Sequence, residues 1–281
     1  ARWGWIGITC EPFGKDHGAA GGSYSTGKEI SLLFDDNPPH PLVYEWISLK
    51  GQGAMSSSTG NTIGPLEALD LVPPEILRYL IASTKPKKAI TFDAGMSLVE
   101  LADEFERLIS RDIESEMKDD SLSRRQRVAL EDAEGALRMS KIGNLTESNV
   151  SFRHLAMLAQ VKSDEEIIES SGANLSGKLQ RMRTWINGPH FPEELRIKVR
   201  NEPYTGLDLD ISKNLKSSLS DCPWNSEGIS EAISAGFRSD EISPKQGYRN
   251  LYLAILGTEK GPRLAPILAE LDRNRVLSLL G

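Results

Sequence analysis

A serine-rich stretch near residue 55 carries the residue types that suit a phosphate site. It reads Met55-Ser56-Ser57-Ser58-Thr59-Gly60-Asn61, and Gly51 and Gly53 precede it. Consecutive hydroxyls and backbone N–H groups can donate to phosphate oxygens, and glycines let the backbone turn closely. A helix predicted to begin at Pro65 would add its positive end nearby. The alternative interpretation is a plain polar loop that joins a strand to a helix.

A second group of candidates lies beside two predicted strands. The apolar run Trp3–Thr9 predicts a buried parallel strand, and residues 42–49 predict another one. Ligands of open α/β sheets bind beyond the carboxyl ends of such strands. The sequence therefore predicts a small-molecule pocket there. Its candidate residues are Gly14, Asp16 and His17. The alternatives are a structural histidine and an aspartate that caps a helix.

Several motifs occur in an order that resembles a known family. The serine stretch is similar to the Lys-Met-Ser-Lys-Ser loop of class I aminoacyl-tRNA synthetases. The surrounding motifs resemble those of class I lysyl-tRNA synthetases and span nearly the whole chain. They are Glu11-Pro12-Phe13-Gly14-Lys15-Asp16-His17, Gly21-Gly22-Ser23-Tyr24, Tyr44-Glu45-Trp46, Pro74-Glu75-Ile76-Leu77-Arg78-Tyr79, and Leu253-Ala254-Ile255-Leu256-Gly257 followed by Gly261-Pro262-Arg263-Leu264.

The resemblance implies an activity and a site. The family joins lysine to its tRNA through a lysyl-adenylate, with ATP as substrate, Mg²⁺ as its metal ion and tRNA-Lys as partner. It implies that His17 and Tyr44 bind lysine, since imidazole and phenol groups can orient an ammonium group. The residues implied to bind ATP are Gly14, Asp16, Ala54, Met55, Ser56, Ser57 and Ser58, of which Met55 to Ser58 form the catalytic loop.

The chain departs from the family pattern in two respects. Ala54 and Ser57 stand where the usual loop carries lysines, and no lysine lies between Lys50 and Lys85. Cationic help for the pyrophosphate leaving group would then come from Lys15, Lys50, Mg²⁺ or loop N–H groups. A His-Ile-Gly-His type motif and the first half of the sheet are also missing. We therefore expect a C-terminal portion that is inactive alone. A tRNA-binding module without catalysis and a glutamyl-type synthetase remain alternatives.

Charge and composition indicate an ordinary globular protein with one basic region. The chain has 281 residues, a net charge of −7 and 39% hydrophobic residues. No apolar run reaches the roughly 18 residues that span a membrane, and the two cysteines suggest free thiols in the cytoplasm. Within the basic stretch 178–200, the residues predicted to contact tRNA are Arg181, Arg183, Arg196 and Lys198. Trp185 or Trp224 could stack on a base, or belong to the core.

The expected fold class is α/β plus all-α, in three domains. Residues 1–62 are expected to be part of a Rossmann-like catalytic domain, and 63–118 a connector. Residues 119–281 are expected to form an α-helical cage that binds the anticodon, with Asn201–Asp221 weakly patterned. Ser97 is expected to cap a helix, with Glu100 completing a capping box. The helices expected beyond residue 118 are 121–141, 150–161, 163–169, 175–187, 226–238, 244–256 and 262–280.

Overall fold

The computed structural model divides into two compact units, Ala1–Leu145 and Thr146–Gly281. It describes residues 2–50, 53–54, 63–141, 150–171, 175–207, 209–239 and 243–281. The strands are β1 (Cys10–Gly14), β2 (His40–Tyr44), β3 (Ile47–Leu49), β4 (Gly53–Ala54) and β5 (Ile90–Phe92). All five lie in the first unit. Among its described residues, the second unit contains helices and no strand, as expected for that part of the chain.

The helices of the first unit are α1 (Arg2–Ile6), α2 (Ser23–Leu33), α3 (Pro65–Leu71), α4 (Pro74–Ala82), α5 (Met96–Ile109), α6 (Ile113–Glu116) and α7 (Arg124–Ser140). Those of the second unit are α8 (Phe152–Val161), α9 (Asp164–Ser171), α10 (Ser176–Asn187), α11 (Leu209–Ser220), α12 (Ser226–Ser239), α13 (Pro244–Leu256), α14 (Leu264–Ala269) and α15 (Arg273–Leu279).

The strands form two small sheets. β1 and β2 pair in parallel, with α2 as the connection between them, and Gly14 lies opposite Tyr44. In the second sheet β3 lies between β4 and β5. It is antiparallel to β4 and parallel to β5. The predicted strand 42–49 is therefore wrong as one element. It breaks at Glu45 and Trp46, whose backbone groups bond to Pro86 and Ile90 instead, and the chain passes from one sheet to the other.

The predicted strand Trp3–Thr9 is wrong, because α1 occupies most of it. The N–H groups of Gly7 and Ile8 both donate to the Trp3 carbonyl, and Gly7 adopts φ +71°. Glycine tolerates this left-handed conformation, which commonly ends a helix. The Trp3 ring packs beside Tyr24, with 5.4 Å between centroids. A short apolar run fits either a strand or a helix by periodicity alone.

The helical core of the first unit packs α4 against α5 and α7. Tyr79 is buried there beside Phe105, and its hydroxyl donates to the Glu104 carboxylate at 2.7 Å. The Arg78 guanidinium donates to the Met139 carbonyl at the end of α7. Helix α7 therefore belongs with the first unit, and the division between units lies at 145/146 instead of the expected 118/119.

Three further differences concern helix ends. Helix α5 begins at Met96 after Gly95, so Ser97 does not cap it. The expected helix 262–280 is divided into α14 and α15, because Asp272 caps a new start by accepting the Arg275 N–H. The weakly patterned segment 201–221 contains α11, where Leu215 and Leu219 are fully buried. One apolar residue per turn is a weak sequence signal, although it is enough for a helix that packs on one side.

Candidate functional site

The ends of β1 and β2 bring three of the predicted residues together. Gly14 and Tyr44 are the last residues of these parallel strands and lie opposite each other. A Cβ atom on Gly14 would lie 3.0 Å from Asp16 Oδ1 and 3.7 Å from Tyr44 Cε2. The Asp16 carboxylate and the Tyr44 ring therefore flank the same glycine. This is the end of a parallel pair at which ligands of α/β sheets bind.

His17 lies in the turn that follows β1. The turn is a 3₁₀ helix, Lys15–Gly18, in which the His17 side chain is exposed. Its Nδ1 is 2.9 Å from Ser23 Oγ, at the start of α2. A Cβ atom on Gly22 would lie 2.4 Å from the His17 carbonyl oxygen and 2.6 Å from that of Asp16. The close approach of backbone to backbone at Gly22 sets the position of this turn.

Aromatic packing supports the turn from below. Phe13 is buried on β1 and stacks on Tyr24 of α2, with 4.4 Å between ring centroids. The Tyr24 hydroxyl donates to the Pro39 carbonyl at 2.6 Å, just before β2. These contacts connect β1, α2 and β2, and they fix the elements that carry the polar groups of the turn. The resulting arrangement presents an imidazole, a phenol and a carboxylate to solvent.

The serine loop itself lies outside the described residues. Met55, Ser56, Ser57 and Ser58 are not among them, so their predicted roles stay predictions. Ala54 is the last residue of β4, where its backbone pairs with Ser48 of β3. It belongs to the second sheet, and Gly14 and Tyr44 belong to the first.

Both lysines considered for the leaving group are paired with carboxylates. Lys15 Nζ lies 2.7 Å from Glu45 Oε2, and Lys50 Nζ lies 2.8 Å from Asp93 Oδ2. A hydrogen bond from the lysine to Asp93 raises the pKa of Lys50. Asp93 was not predicted from the sequence, since it stands 43 residues from Lys50. The pair connects the residue just before the serine loop to the start of α5.

Asp93 has a second function as the anchor of the turn before α5. Its carboxylate accepts the Gly95 N–H at 2.9 Å and the Ser97 N–H at 3.4 Å. Burial alone raises the pKa of Asp93, but hydrogen bonds from Lys50, Ser97 and Gly95 outweigh burial and lower it to about 2. Hydrogen bonding of this kind favours the ionised form of a carboxyl.

The lowered pKa of Asp93 predicts a pH-dependent stability. A folded pKa below the ordinary 3.8 means that ionised Asp93 stabilises the fold above that value, and that this contribution is lost as the pH falls toward about 2. We expect Asp93→Asn to lower Tm most above about pH 5, and the difference from wild type to narrow steadily below about pH 4. Thermal unfolding across this range tests it. The exposed Asp132→Asn is the control, and a difference in Tm that stays constant with pH would contradict the prediction.

The predicted basic residues separate into two groups. Arg183 donates to the carbonyls of Ala159 and Lys162 and to Asp164 Oδ1, at 2.8 Å from Nε and 2.6 Å from Nη2. Its guanidinium is engaged inside the second unit and connects α8, α9 and α10. Arg181 donates to the Gly177 carbonyl along its own helix. These two residues are therefore poorly placed as phosphate contacts.

Arg196 and Lys198 lie on a different surface. Both border a groove of about 950 Å³ between residues 193–201 and 256–261, which Arg200 and Lys260 also line. Arg196 lies over the Phe191 ring and pairs with Glu193. Lys198 and Lys260 are exposed. Glu193, Glu194 and Glu259 also line the groove, so its charges are mixed.

The tryptophans differ in their exposure. Trp185 is fully buried between Phe152 and Phe191, at 5.3 and 4.8 Å between centroids, so the idea that it stacks on a base is wrong. Trp224 is half-buried, and its Nε1 donates to the Leu271 carbonyl at 2.9 Å. Arg273 covers its ring. Both side chains therefore serve packing in this structure.

Comparison with known proteins finds a family match for the first part of the chain. Residues 1–132 match the profile of the tRNA synthetases class I (K). Residues 1–132 are therefore similar to this family. The expected resemblance is thus confirmed, and the motifs around Gly14, Tyr44 and residues 55–61 lie inside the matched range. Among the described residues, no group of three His, Cys, Asp or Glu side chains is placed to hold a metal ion, and no helix has the length and apolar character needed to cross a membrane.

Similarity to curated proteins extends beyond residue 132. The lysine–tRNA ligase of Thermoplasma acidophilum is 33% identical over 98% of this chain and 55% of its own length. The lysine–tRNA ligase of Thermoplasma volcanium is 35% identical over 100% of this chain and 57% of its own length. The lysine–tRNA ligase of Archaeoglobus fulgidus is 33% identical over 94% of this chain and 52% of its own length. A solved glutamate tRNA ligase from Elizabethkingia meningosepticum aligns over 99% of the chain, with a TM-score of 0.45 and 14% identity. The chain spans about half the length of the curated relatives it matches.

Proposed function

We propose that this chain is part of a lysine–tRNA ligase and contributes its lysine pocket and its tRNA-binding helices. In the reaction a lysine carboxylate oxygen attacks the α-phosphate of ATP and pyrophosphate leaves. A ribose hydroxyl at the tRNA 3′ end then attacks the carbonyl of the lysyl-adenylate, and AMP leaves. The proposal rests above all on Gly14, Asp16 and Tyr44, which converge where two parallel strands end. The names of the relatives agree with it.

The proposed roles follow from the chemistry of each group. Tyr44 and His17 orient the lysine ammonium and stem, since a phenol ring and an imidazole offer cation–π contact and hydrogen bonds. Asp16 accepts from the ATP ribose hydroxyls, and Gly14 leaves room for the nucleotide. Residues 54–58 contact the phosphates. Mg²⁺ enters with ATP, because this ion is usually held by substrate phosphates and few protein carboxylates. These residues position and stabilise charge, and none forms a covalent intermediate.

The domain roles are part of the same proposal. Residues 1–62 act as part of the catalytic domain, 63–118 as a connector, and the helices of the second unit as the anticodon-binding domain. Helix α7 packs with the first unit, so we assign residues 119–145 to that side. Of the four residues predicted to contact tRNA, Arg196 and Lys198 are the better candidates, because Arg183 and Arg181 donate to carbonyls within the second unit.

ATP–pyrophosphate exchange tests the activity. We would measure it with each amino acid on this chain, and on the chain joined to the remaining residues of the Thermoplasma acidophilum relative. We call the latter the joined protein. We expect lysine-dependent exchange by the joined protein and no exchange by the 281-residue chain. Exchange that depends on glutamate would replace the assignment with a glutamyl-type synthetase.

A second candidate function is a tRNA-binding module without catalysis. One observation favours it: Lys15 and Lys50, the two lysines considered for the leaving group, both pair with carboxylates. A joined protein that binds tRNA and shows no exchange with any amino acid would support this alternative.

If Tyr44 and His17 bind lysine, substitutions there should affect the KM for lysine more than the KM for ATP. In the joined protein, Tyr44→Ala and His17→Ala are expected to raise the KM for lysine roughly tenfold or more, the value of about one lost charge-assisted contact. The KM for ATP should change little. Because both side chains are exposed, neither variant should lower Tm appreciably. Equal losses for lysine and ATP would contradict the assignment. Tyr204→Ala, a tyrosine substitution in the second unit, serves as the control.

A further inference from the structure

Three exposed lysines of the first unit lie in one turn before β5. The turn is Lys85-Pro86-Lys87-Lys88, closed by a hydrogen bond from the Lys88 N–H to the Lys85 carbonyl at 2.8 Å. Proline suits its second position, because the fixed φ of proline matches the common turn types. The three lysine side chains are exposed, in a chain whose net charge is −7. We name this segment the basic turn.

The strand order places the basic turn at a defined edge of the second sheet. β5 runs parallel to β3, with Ile90 opposite Ile47, so the turn before β5 lies at the edge where β3 begins. β4 runs antiparallel to β3, with Ala54 opposite Ser48, so β4 ends at this same edge. The serine stretch follows Ala54 directly in the sequence. The basic turn and the last residue before the serine stretch are therefore at one edge of the sheet.

The separation along this edge is short. β3 lies between β4 and β5. Because neighbouring strands are about 4.8 Å apart, β4 and β5 are roughly 10 Å apart. A lysine ammonium is carried by a long and flexible stem, so it can reach across much of this distance. The ammonium groups of the basic turn can therefore approach the end of β4.

The first sheet also ends beside the basic turn. The Glu45 N–H donates to the Pro86 carbonyl at 2.8 Å. Glu45 directly follows Tyr44, the last residue of β2, which lies opposite Gly14. This is the end of a parallel pair at which ligands of α/β sheets bind. A triphosphate that extends from a nucleotide at Gly14 toward the end of β4 would thus lie near the basic turn.

The basic turn differs from the cations considered above for the phosphates. Lys15 and Lys50 pair with carboxylates at 2.7 and 2.8 Å. Lys50 also lies at the opposite edge of the second sheet, because it follows β3 and its N–H donates to the Phe92 carbonyl at the end of β5. Among the described residues, no carboxylate forms an ion pair with a lysine of the basic turn. These ammonium groups can therefore bind an anion without first losing a partner.

We propose that the basic turn binds the β- and γ-phosphates of ATP and stabilises pyrophosphate as it leaves. A carboxylate oxygen of the substrate lysine bonds to the α-phosphorus, the bond from this phosphorus to the bridging oxygen breaks, and its electron pair stays with pyrophosphate. Ammonium groups placed at that developing charge stabilise it. The inference rests on the proposed function. It gives Lys85, Lys87 and Lys88 the cationic role for which the serine loop has no lysine.

The KM for pyrophosphate in exchange by the joined protein tests this role. Lys85→Gln, Lys87→Gln and Lys88→Gln are each expected to raise it roughly threefold, and the triple variant roughly thirtyfold, since one exposed charge contact contributes little alone. The KM for lysine should stay within about twofold of wild type, because the turn does not contact this substrate.

Two controls separate charge from structure. A triple variant with arginine at the same positions keeps the charges and should stay close to wild type, because arginine also binds phosphate. Lys118→Gln, at an exposed lysine after α6 in the same unit, should leave the KM for pyrophosphate unchanged. Since all these side chains are exposed, the variants should keep the wild-type Tm.

A binding measurement on the 281-residue chain gives an independent result. Calorimetric titration with inorganic tripolyphosphate at low salt is expected to show binding that the triple glutamine variant weakens roughly tenfold or more. Equal binding by wild type and this variant would overturn the inference. An unchanged KM for pyrophosphate together with weaker tRNA binding would also overturn it, and would make the turn a tRNA contact.

Failure of the proposed function is a separate outcome. A wild-type joined protein without lysine-dependent exchange would remove the catalytic assignment, and the role in pyrophosphate release with it. Tripolyphosphate binding that depends on the three lysines would still support a polyphosphate site at the basic turn, and the absence of such binding would overturn this site as well.

Discussion

Gly22→Ala is expected to reduce lysine-dependent exchange by the joined protein roughly a hundredfold, the effect that a shift of about 1 Å at a reacting site can have. The new Cβ atom would lie 2.4 Å from the His17 carbonyl oxygen and 2.6 Å from that of Asp16. Both contacts are with backbone, which cannot move aside as a flexible side chain can. The turn must shift, and it carries the predicted lysine and ribose contacts.

The chain contains a matched control for this substitution. Gly64 has an ordinary φ of −67°, and a Cβ atom there would meet no atom of the described residues within 4 Å. Gly64→Ala should therefore leave exchange unchanged. Exchange is measured beside thermal unfolding of the same variants. A Gly22→Ala protein that keeps wild-type kcat and KM would show that the close approach at Gly22 does not position the site.

Trp185→Ala is expected to lower the free energy of unfolding of the second unit by roughly 3–5 kcal/mol. The Trp185 ring is fully buried and contacts Phe152 and Phe191, so its removal leaves a large cavity in a helical core. Denaturant unfolding followed by circular dichroism measures the effect. The analysis must allow for two transitions, because chains with two compact units need not unfold in one step.

Thr184→Ala, an exposed neighbour on the same helix, should change stability by less than about 0.5 kcal/mol. Because Trp185 lies in the core, its fluorescence emission should also stay unchanged when tRNA is added. A loss of stability below about 1 kcal/mol for Trp185→Ala, together with weaker tRNA binding, would return Trp185 to a base-stacking role.

The sequence predicts the helices well where caps and periodicity agree. α13 spans the predicted 244–256, with Ser243 as N-cap and Gly257 at φ +71° after its end. At α7 the capping box is present at Ser123 and Gln126, slightly after the expected start. Such signals are local, since the cap and the groups that it satisfies lie within one turn.

The failures occur where distant contacts decide the structure. The strand break at Glu45 and Trp46 depends on acceptor and donor groups more than 40 residues away. Helix α11 depends on burial of Leu215 and Leu219, and Ser212 donates to the Leu280 carbonyl at the far end of the chain. No local pattern contains this information, because tertiary packing overrides weak propensity.

The site shows the same contrast. Gly14, Asp16 and His17 are neighbours in sequence, and motif order alone placed them near Tyr44. Asp93 has no such motif, and only the fold brings its carboxylate to Lys50. The basic stretch 178–200 looked uniform, yet Arg183 is engaged internally while Lys198 is exposed. The sequence alone does not show whether a basic side chain already donates to an acceptor within the fold.

The two-stranded parallel sheet has a consequence for handling the protein. Parallel strands are normally covered on both faces, but Leu42 on β2 is 47% exposed, and Leu33 and Phe34 at the end of α2 are 82% and 77% exposed. Among the described strands, β1 and β2 pair only with each other. An open strand edge beside apolar side chains is a template for aggregation. We therefore expect this apolar face to lower the solubility of the 281-residue chain.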